Sequence, residues 1–280
     1  MTAAGDGGVI VTQQFSADQV ALALGAMNPT YLGTGSFGET WRVSISGRDR
    51  AVKIIHADGY DQERLGREIE GYRRVDHPNV VELLDFGTIV IAGRTRPSMT
   101  FRFVPGGDLQ QTLLAHRADQ DELRGLAVGL LAGVEAMHAV DLLHRDLKPA
   151  NIALLDGDFA RPVILDLGLT KLLDVESMTK YPARMGTPLY MAPEQLRQER
   201  ARRASDLWAV AVVLYEASTG HHPYISPSES VTVDELLMRM QSPPHDDQDI
   251  PADVGALITK LLSPEPYRRG TVRKAIEMLN

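Results

Sequence analysis

The chain has 280 residues, a formal charge of −8, 44% hydrophobic and 24% charged residues, an ordinary globular composition for one large domain or two lobes sharing an interface. No apolar run reaches the ~18 residues of a membrane-spanning helix, the start "MTAAGDGGVIVTQQ" lacks the basic segment of a secretory signal, and the absence of cysteine excludes disulfides and thiolate metal sites. A cytoplasmic chain is the expectation, and its net negative charge argues against a general nucleic-acid grip while leaving room for phosphates held by a local nest of N–H groups and one lysine.

Residues 1–27 read as an N-terminal extension. "SADQVALALGAM" is a short helix with Ser16 and Gln19 at capping-box spacing. From Tyr31 the pattern turns to strands. "TYLGTGSFGETWRVSI" is two β-prone segments around a glycine-rich turn, and "RAVKIIHA" is a compact apolar strand. "DQERLGREIEGYRRV" has helical periodicity, with Leu65, Ile69, Tyr72 and Val75 on one face. "HPNVVELLDFGTIVIAG" and "RPSMTFRFV" are two further strands. After the joint "PGGD" the chain becomes helical: "DLQQTLLAHR", "DELRGLAVGLLAGVEAMHAVDL", "SDLWAVAVVLYEAS", "VDELLMRMQ", "ADVGALITKLL" and "VRKAIEML". The third of these is apolar nearly all round, the signature of a buried central helix.

Several polar groups then demand an explanation. Gly33, Gly35 and Gly38 in "GTGSFG" let backbone N–H groups approach phosphates without a Cβ in the way. The strand-like "ETWRVSISG" that follows excludes a dinucleotide fold, which needs a helix there. Lys53 interrupts the apolar "AVKII" on the next strand. A desolvated ammonium needs a partner; Glu68 on the following helix is the candidate, with Glu63 and Glu70 as rivals. "HRDLKPAN" gathers Asp146, Lys148 and Asn151 within six residues. Asp166 ends the run "VILD", and with Asn151 it offers the oxygen ligands that a hard cation such as Mg²⁺ prefers.

Taken in order, "GTGSFG", "AVK", "HRDLKPAN", "DLG" and "GTPLYMAPE" resemble the eukaryotic-type protein kinase family over about residues 28–280. The resemblance implies an α+β, bilobal protein-kinase fold. A small antiparallel β-sheet lobe with one key helix spans 28–104, and a larger, mainly α-helical lobe spans 105–280. It implies a serine/threonine kinase that uses ATP and Mg²⁺, with Mn²⁺ as an alternative metal. Its partners would be protein substrates and a second copy of itself in trans, with no nucleic acid. In such an enzyme the three glycines cover ATP, Lys53 binds its α- and β-phosphates and pairs with Glu68, and Asp146 orients the substrate hydroxyl. Lys148 neutralises the γ-phosphate, and Asn151 and Asp166 bind the metal. Leu32, Ala51 and Ala153 would sandwich the adenine, Arg102 and Val104 would offer it backbone groups beyond a gatekeeper Phe101, and Asp108 would meet the ribose or cap a helix.

The same resemblance makes Arg145 a receiver for an activation-loop phosphate, with Ser177 and Thr179 as autophosphorylation sites and Thr187 hydrogen-bonding within the catalytic loop. Asp206 would brace the "HRD" backbone and Glu194 would pair with Arg269. The chain departs from the family pattern at Thr40, Leu167, Ala211, Glu265 and Gly270, none of which removes a catalytic group. The alternative is a catalytically silent, ATP-binding scaffold.

Overall fold

The computed structural model describes residues 13–35, 38–56, 62–165, 189–226, 229, 231–242, 244 and 250–279. Ser16 opens the first helix, α1 (Ala17–Leu24), with the reciprocal capping pair to Gln19, and Gly25 closes it in the left-handed conformation. Five strands follow: β1 (Met27–Gly35), β2 (Gly38–Ile45), β3 (Arg48–Ile55), β4 (Leu83–Ile91) and β5 (Arg94–Arg102). They form one antiparallel sheet in the order β1-β2-β3-β5-β4. A helix, α2 (Gln62–Arg73), lies between β3 and β4 in the chain.

Alternation along a strand sends successive side chains to opposite faces. Val52 and Ile54 of β3 therefore join Trp41 and Val43 of β2 in an outer core that also takes Phe15, Val20 and Ala26. The segment before β1 is thus part of the packing of the sheet. Ala51 and Ile55 pack on the opposite face into the large core shared with the helical half. Lys53 has their parity, and so the face turned toward that half.

The second half holds α3 (Leu109–Leu113), α4 (Gln120–Ala139), the short ribbon β6 (Ile152–Leu154) and β7 (Pro162–Ile164), α5 (Pro193–Leu196), α6 (Arg203–Thr219), α7 (Val233–Arg239), α8 (Ala252–Leu261), α9 (Pro266–Arg269) and α10 (Val272–Glu277). α6 is the central helix that its apolar sequence suggests: Leu207 to Tyr215 is buried without a break. α3 is shorter than its sequence segment. α5, α9 and the β6–β7 ribbon are too brief for periodicity to reveal. No helix among the described residues is long and apolar enough to cross a membrane.

Two long-range devices tie this half together. At the joint between the halves Gly106 has φ +116°, and a Cβ there would lie 2.1 Å from the Leu154 carbonyl oxygen. The neighbouring backbone bonds Leu154 N–H to Gly107 O and Asp156 N–H to Pro105 O clamp the joint onto the β6 ribbon. The second device is Arg269, fully buried. Its guanidinium forks onto both oxygens of Glu194 at 2.8 and 2.9 Å. The remaining N–H groups reach the carbonyls of Ser263, Ala204 and Pro264, so all five donors are satisfied. Ser205 Oγ donates to the same carboxylate at 2.7 Å.

Burial alone would raise the pKa of Glu194, but the bonds from Arg269 and Ser205 outweigh it and hold the carboxyl below its ordinary value. Glu194→Leu, which strands the buried guanidinium, is expected to cost about 3–5 kcal/mol in urea unfolding, with much of it recovered in Glu194→Leu/Arg269→Met. A depressed folded pKa contributes stability that is fully present above the unfolded value of 4.5 and is lost as pH falls through the folded value. The wild-type unfolding midpoint is therefore expected to drop on acidification below about pH 4.5, and less steeply in the double variant.

Candidate active site

The glycine-rich turn joins β1 to β2, with Gly35 paired to Gly38 and Gly33 to Thr40. Gly38 is required by close approach: a Cβ there would lie 2.3 Å from the Ile54 carbonyl oxygen of β3. Leu32 stands 47% exposed on β1. Lys53 is buried on β3, opposite Thr40 of β2 and Met99 of β5. Ala51 is opposite Phe101 of β5. Ala153 is buried in the large core, and Ala51 and Val104 are partly buried against it. Arg102 gives its N–H to Glu82 O at 3.0 Å. Asp108 is the N-cap of α3, its carboxylate accepting from Gln111 N at 2.8 Å, and its backbone bridges to Ala153.

The loop from His144 to Asn151 brings its polar groups together. Lys148 Nζ donates to Asp146 Oδ2 at 3.0 Å. Asn151 Nδ2 donates to the Asp146 carbonyl at 2.8 Å and to Oδ2 at 3.3 Å. Both contacts use the amide nitrogen, so Oδ1 of Asn151 is the end left for a cation. Pro149 opens the single 3₁₀ turn 149–151 and is itself buried, and that turn swings Asn151 back onto Asp146. His144 is fully buried. Its Nδ1 accepts from Asp146 N at 3.3 Å, so Nε2 carries the proton and donates to Leu165 O at 2.9 Å. Leu165 N in turn donates to Asn151 O at 2.8 Å, which locks the loop to the residue before Asp166.

Beneath the loop sits Asp206, buried on α6. Its Oδ2 accepts from His144 N at 3.1 Å and lies 2.9 Å from His138 Nε2, and its Oδ1 accepts from Arg145 N at 2.8 Å. Burial would raise its pKa; the bond from His138 and the loop amides outweigh that and hold it lowered. Arg145 has φ 65°, a left-handed conformation that costs a non-glycine residue ~1–3 kcal/mol and persists only where its surroundings impose it.

Past the undescribed stretch, Tyr190 OH donates to Glu216 at 2.5 Å. Burial raises the pKa of both groups, and their mutual bond keeps the pair satisfied. His222 Nε2 lies 2.9 Å from Leu189 O, while Tyr224 N donates to its Nδ1 at 3.1 Å. That makes Nε2 the donor, and burial lowers this imidazole's pKa to about 4.

The bracing role expected of Asp206 and the Glu194–Arg269 pair are both present. Asp166, Ser177, Thr179 and Thr187 lie outside the described residues, as does the side chain of Glu68, whose backbone is in α2. His138, Gln195 and His222 were not legible as site residues. Gln195, directly after "APE", was the most accessible to reasoning, because a buried amide needs partners.

The sequence profile of the protein kinase domain matches residues 28–279. The probable serine/threonine-protein kinase PkwA of Thermomonospora curvata is 32% identical over 89% of this chain and 33% of its own length. SRK2I of Arabidopsis thaliana, a serine/threonine-protein kinase, is 33% identical over 85% of this chain and 66% of its own. The chain thus spans about a third of the first of these relatives. The crystal structure of Rad53 1–466 in complex with AMP-PNP superposes with a TM-score of 0.72 at 27% identity, covering 90% of this chain and 63% of that one. With a sheet-and-helix architecture of this kind and a family profile matched along nearly its whole length, the chain belongs to the protein kinase domain family.

Proposed function

We propose that the chain transfers the γ-phosphoryl group of ATP to serine or threonine hydroxyls of protein substrates in the cytoplasm, with residues 28–104 and 105–280 as the two lobes of one catalytic domain. The observation that carries this reading is the Asp146 carboxylate. Lys148 and Asn151 both bind its Oδ2, which leaves Oδ1 to meet a hydroxyl. In the transfer, the substrate oxygen bonds to the γ-phosphorus, the bond to the bridging oxygen of ADP breaks, and the hydroxyl proton passes to Asp146. Little covalent help is needed; alignment and charge neutralisation carry the rate.

Gly33, Gly35 and Gly38 cover the phosphates, Lys53 pairs with the α- and β-phosphates and with Glu68, and Lys148 meets the γ-phosphate. Leu32, Ala51 and Ala153 enclose the adenine, Arg102 and Val104 hold its edge through their backbone, and Asp108 faces the ribose. Asn151 Oδ1 and Asp166 would hold Mg²⁺, or Mn²⁺ in its place, a fit supported by the all-oxygen donor set. The metal, when bound, neutralises charge on the phosphate oxygens.

Two measurements test the reading. Incubation with γ-labelled ATP and a generic protein substrate is expected to label the substrate, and Asp146→Asn is expected to lower kcat by at least about a thousandfold while Mg-ATP still raises the melting temperature. Label transfer surviving in that variant would overturn the role of Asp146. Autophosphorylation in trans on Thr179 and Ser177, with Arg145 receiving the phosphate, is expected to appear by mass spectrometry of ATP-treated protein. Neither residue modified would remove this part of the reading, together with its account of Arg145.

A further inference from the structure

Lys148 and Asn151 hold the Asp146 carboxylate itself, while the backbone that carries it is set by the peptide group that precedes it, Arg145 C=O to Asp146 N–H. That group is trans, so its carbonyl and its amide face opposite ways. Among the described residues the amide is held by His144 Nδ1, at 3.3 Å, beyond the usual length of an N–H bond. The carbonyl accepts from Gln195 Nε2 at 3.1 Å. Gln195 belongs to α5, fifty residues further along the chain, and is 7% exposed. Its orientation follows from its other contact. Oε1 accepts from Ala192 N at 3.2 Å, so the end facing the Arg145 carbonyl is the NH₂. The preceding residue, Glu194, is anchored by Arg269 on both carboxylate oxygens, so the amide projects from a fixed support.

We propose that Gln195 is a positioning residue for phosphoryl transfer: it pins the Arg145–Asp146 peptide plane and thereby aims the Asp146 carboxylate. This rests on the reading of Asp146 given above. Asp206 fixes one side of Arg145 through its N–H, and Gln195 fixes the other through its C=O. Without the second hold, the peptide can turn about Arg145 ψ and Asp146 φ while Arg145 N stays bound. Alignment at the reacting centre is sensitive to shifts of about 1 Å, so such a turn lowers the turnover rate and leaves nucleotide binding alone.

The test uses Gln195→Met, which has similar length and no donor, and Gln195→Glu, which keeps the acceptor for Ala192 N–H but sets an oxygen against the Arg145 carbonyl. In Gln195→Met, kcat is expected to fall about tenfold with the KM for ATP within about twofold of wild type, at a temperature where both proteins are fully folded. In Gln195→Glu, the ratio of kcat to wild type is expected to climb as pH falls, because the protonated carboxyl regains a donor for Arg145 O. Amide exchange at Arg145 and Asp146 is expected to quicken in Gln195→Met, with α6 amides unchanged. An unaltered kcat in Gln195→Met, or a flat pH ratio in Gln195→Glu, would reduce Gln195 to a packing role and overturn the proposal. If wild type itself transfers no phosphate, the kinase reading fails, and exchange still decides: equal protection in wild type and Gln195→Met overturns the pinning.

Discussion

The arrangement of the candidate site depends on one buried carboxylate. Asp206 sits on the central helix with almost no exposure, where an unpaired charge would cost several kcal/mol. It is tolerated because three donors converge on it: one imidazole from α4 and two successive loop amides. Each donor therefore has a place it must occupy. The helix pair α4 and α6 is tied at that point, and the loop between His144 and Asp146 has to bend so that two adjacent N–H groups reach the same side chain. The positive φ of Arg145 is the backbone form of that bend, and the charge-assisted bonds offset its strain.

From this point the constraint spreads in two directions. His144 passes it to Leu165 through Nε2, and Leu165 returns it to Asn151 through its amide, so the loop and the segment leading to Asp166 share one register. In the other direction Ser205, beside Asp206, donates to Glu194, and Glu194 carries the Arg269 fork. α5, α6 and α9 are thus held by a second polar network adjoining the first. Such networks are effective only when every member is paired. Here the five donors of Arg269 and the two oxygens of Glu194 all are. The apolar packing of α6 against α4 and α8 supplies the burial that makes unpaired alternatives costly.

What could be read from the sequence, and what could not, divides along sequence separation. The Ser16–Gln19 capping pair and the apolar girth of α6 are local patterns and are present as read; of the face expected on α2, Ile69 and Tyr72 are buried on the helix, Val75 is buried just past its end, and the side chain of Leu65 lies outside the described residues. The clustering of Asp146, Lys148 and Asn151 was legible because eight residues carry it. Asp206 and the Glu194–Arg269 pair were legible only through resemblance, since residues sixty to seventy-five apart leave no periodic trace. Gln195 and His138 escaped because an amide after "APE" and a histidine in an apolar helix look like any other buried polar group until their partners are known. The ribbon of β6 and β7 escaped for a different reason: three residues per strand are too few for alternation to be counted.

The segment before β1 shows how the back of the sheet bears on its front. Gly38, where a side chain would strike β3, is followed by Glu39, which strand alternation turns to the other face. Glu39 has no exposure. Its carboxylate accepts from the indole N–H of Trp41 at 3.1 Å and from the backbone N–H of Gln14. His56, whose pKa burial lowers, brings its Nε2 within 3.9 Å. Phe15 packs edge-on against the same imidazole. A buried acid next to the glycine-rich turn is therefore stabilised in part by a backbone donor from outside the sheet. Removing residues 13–15 would leave that carboxylate short of a partner and open the outer core at Phe15, so the packing behind β2 draws on chain that precedes the first strand.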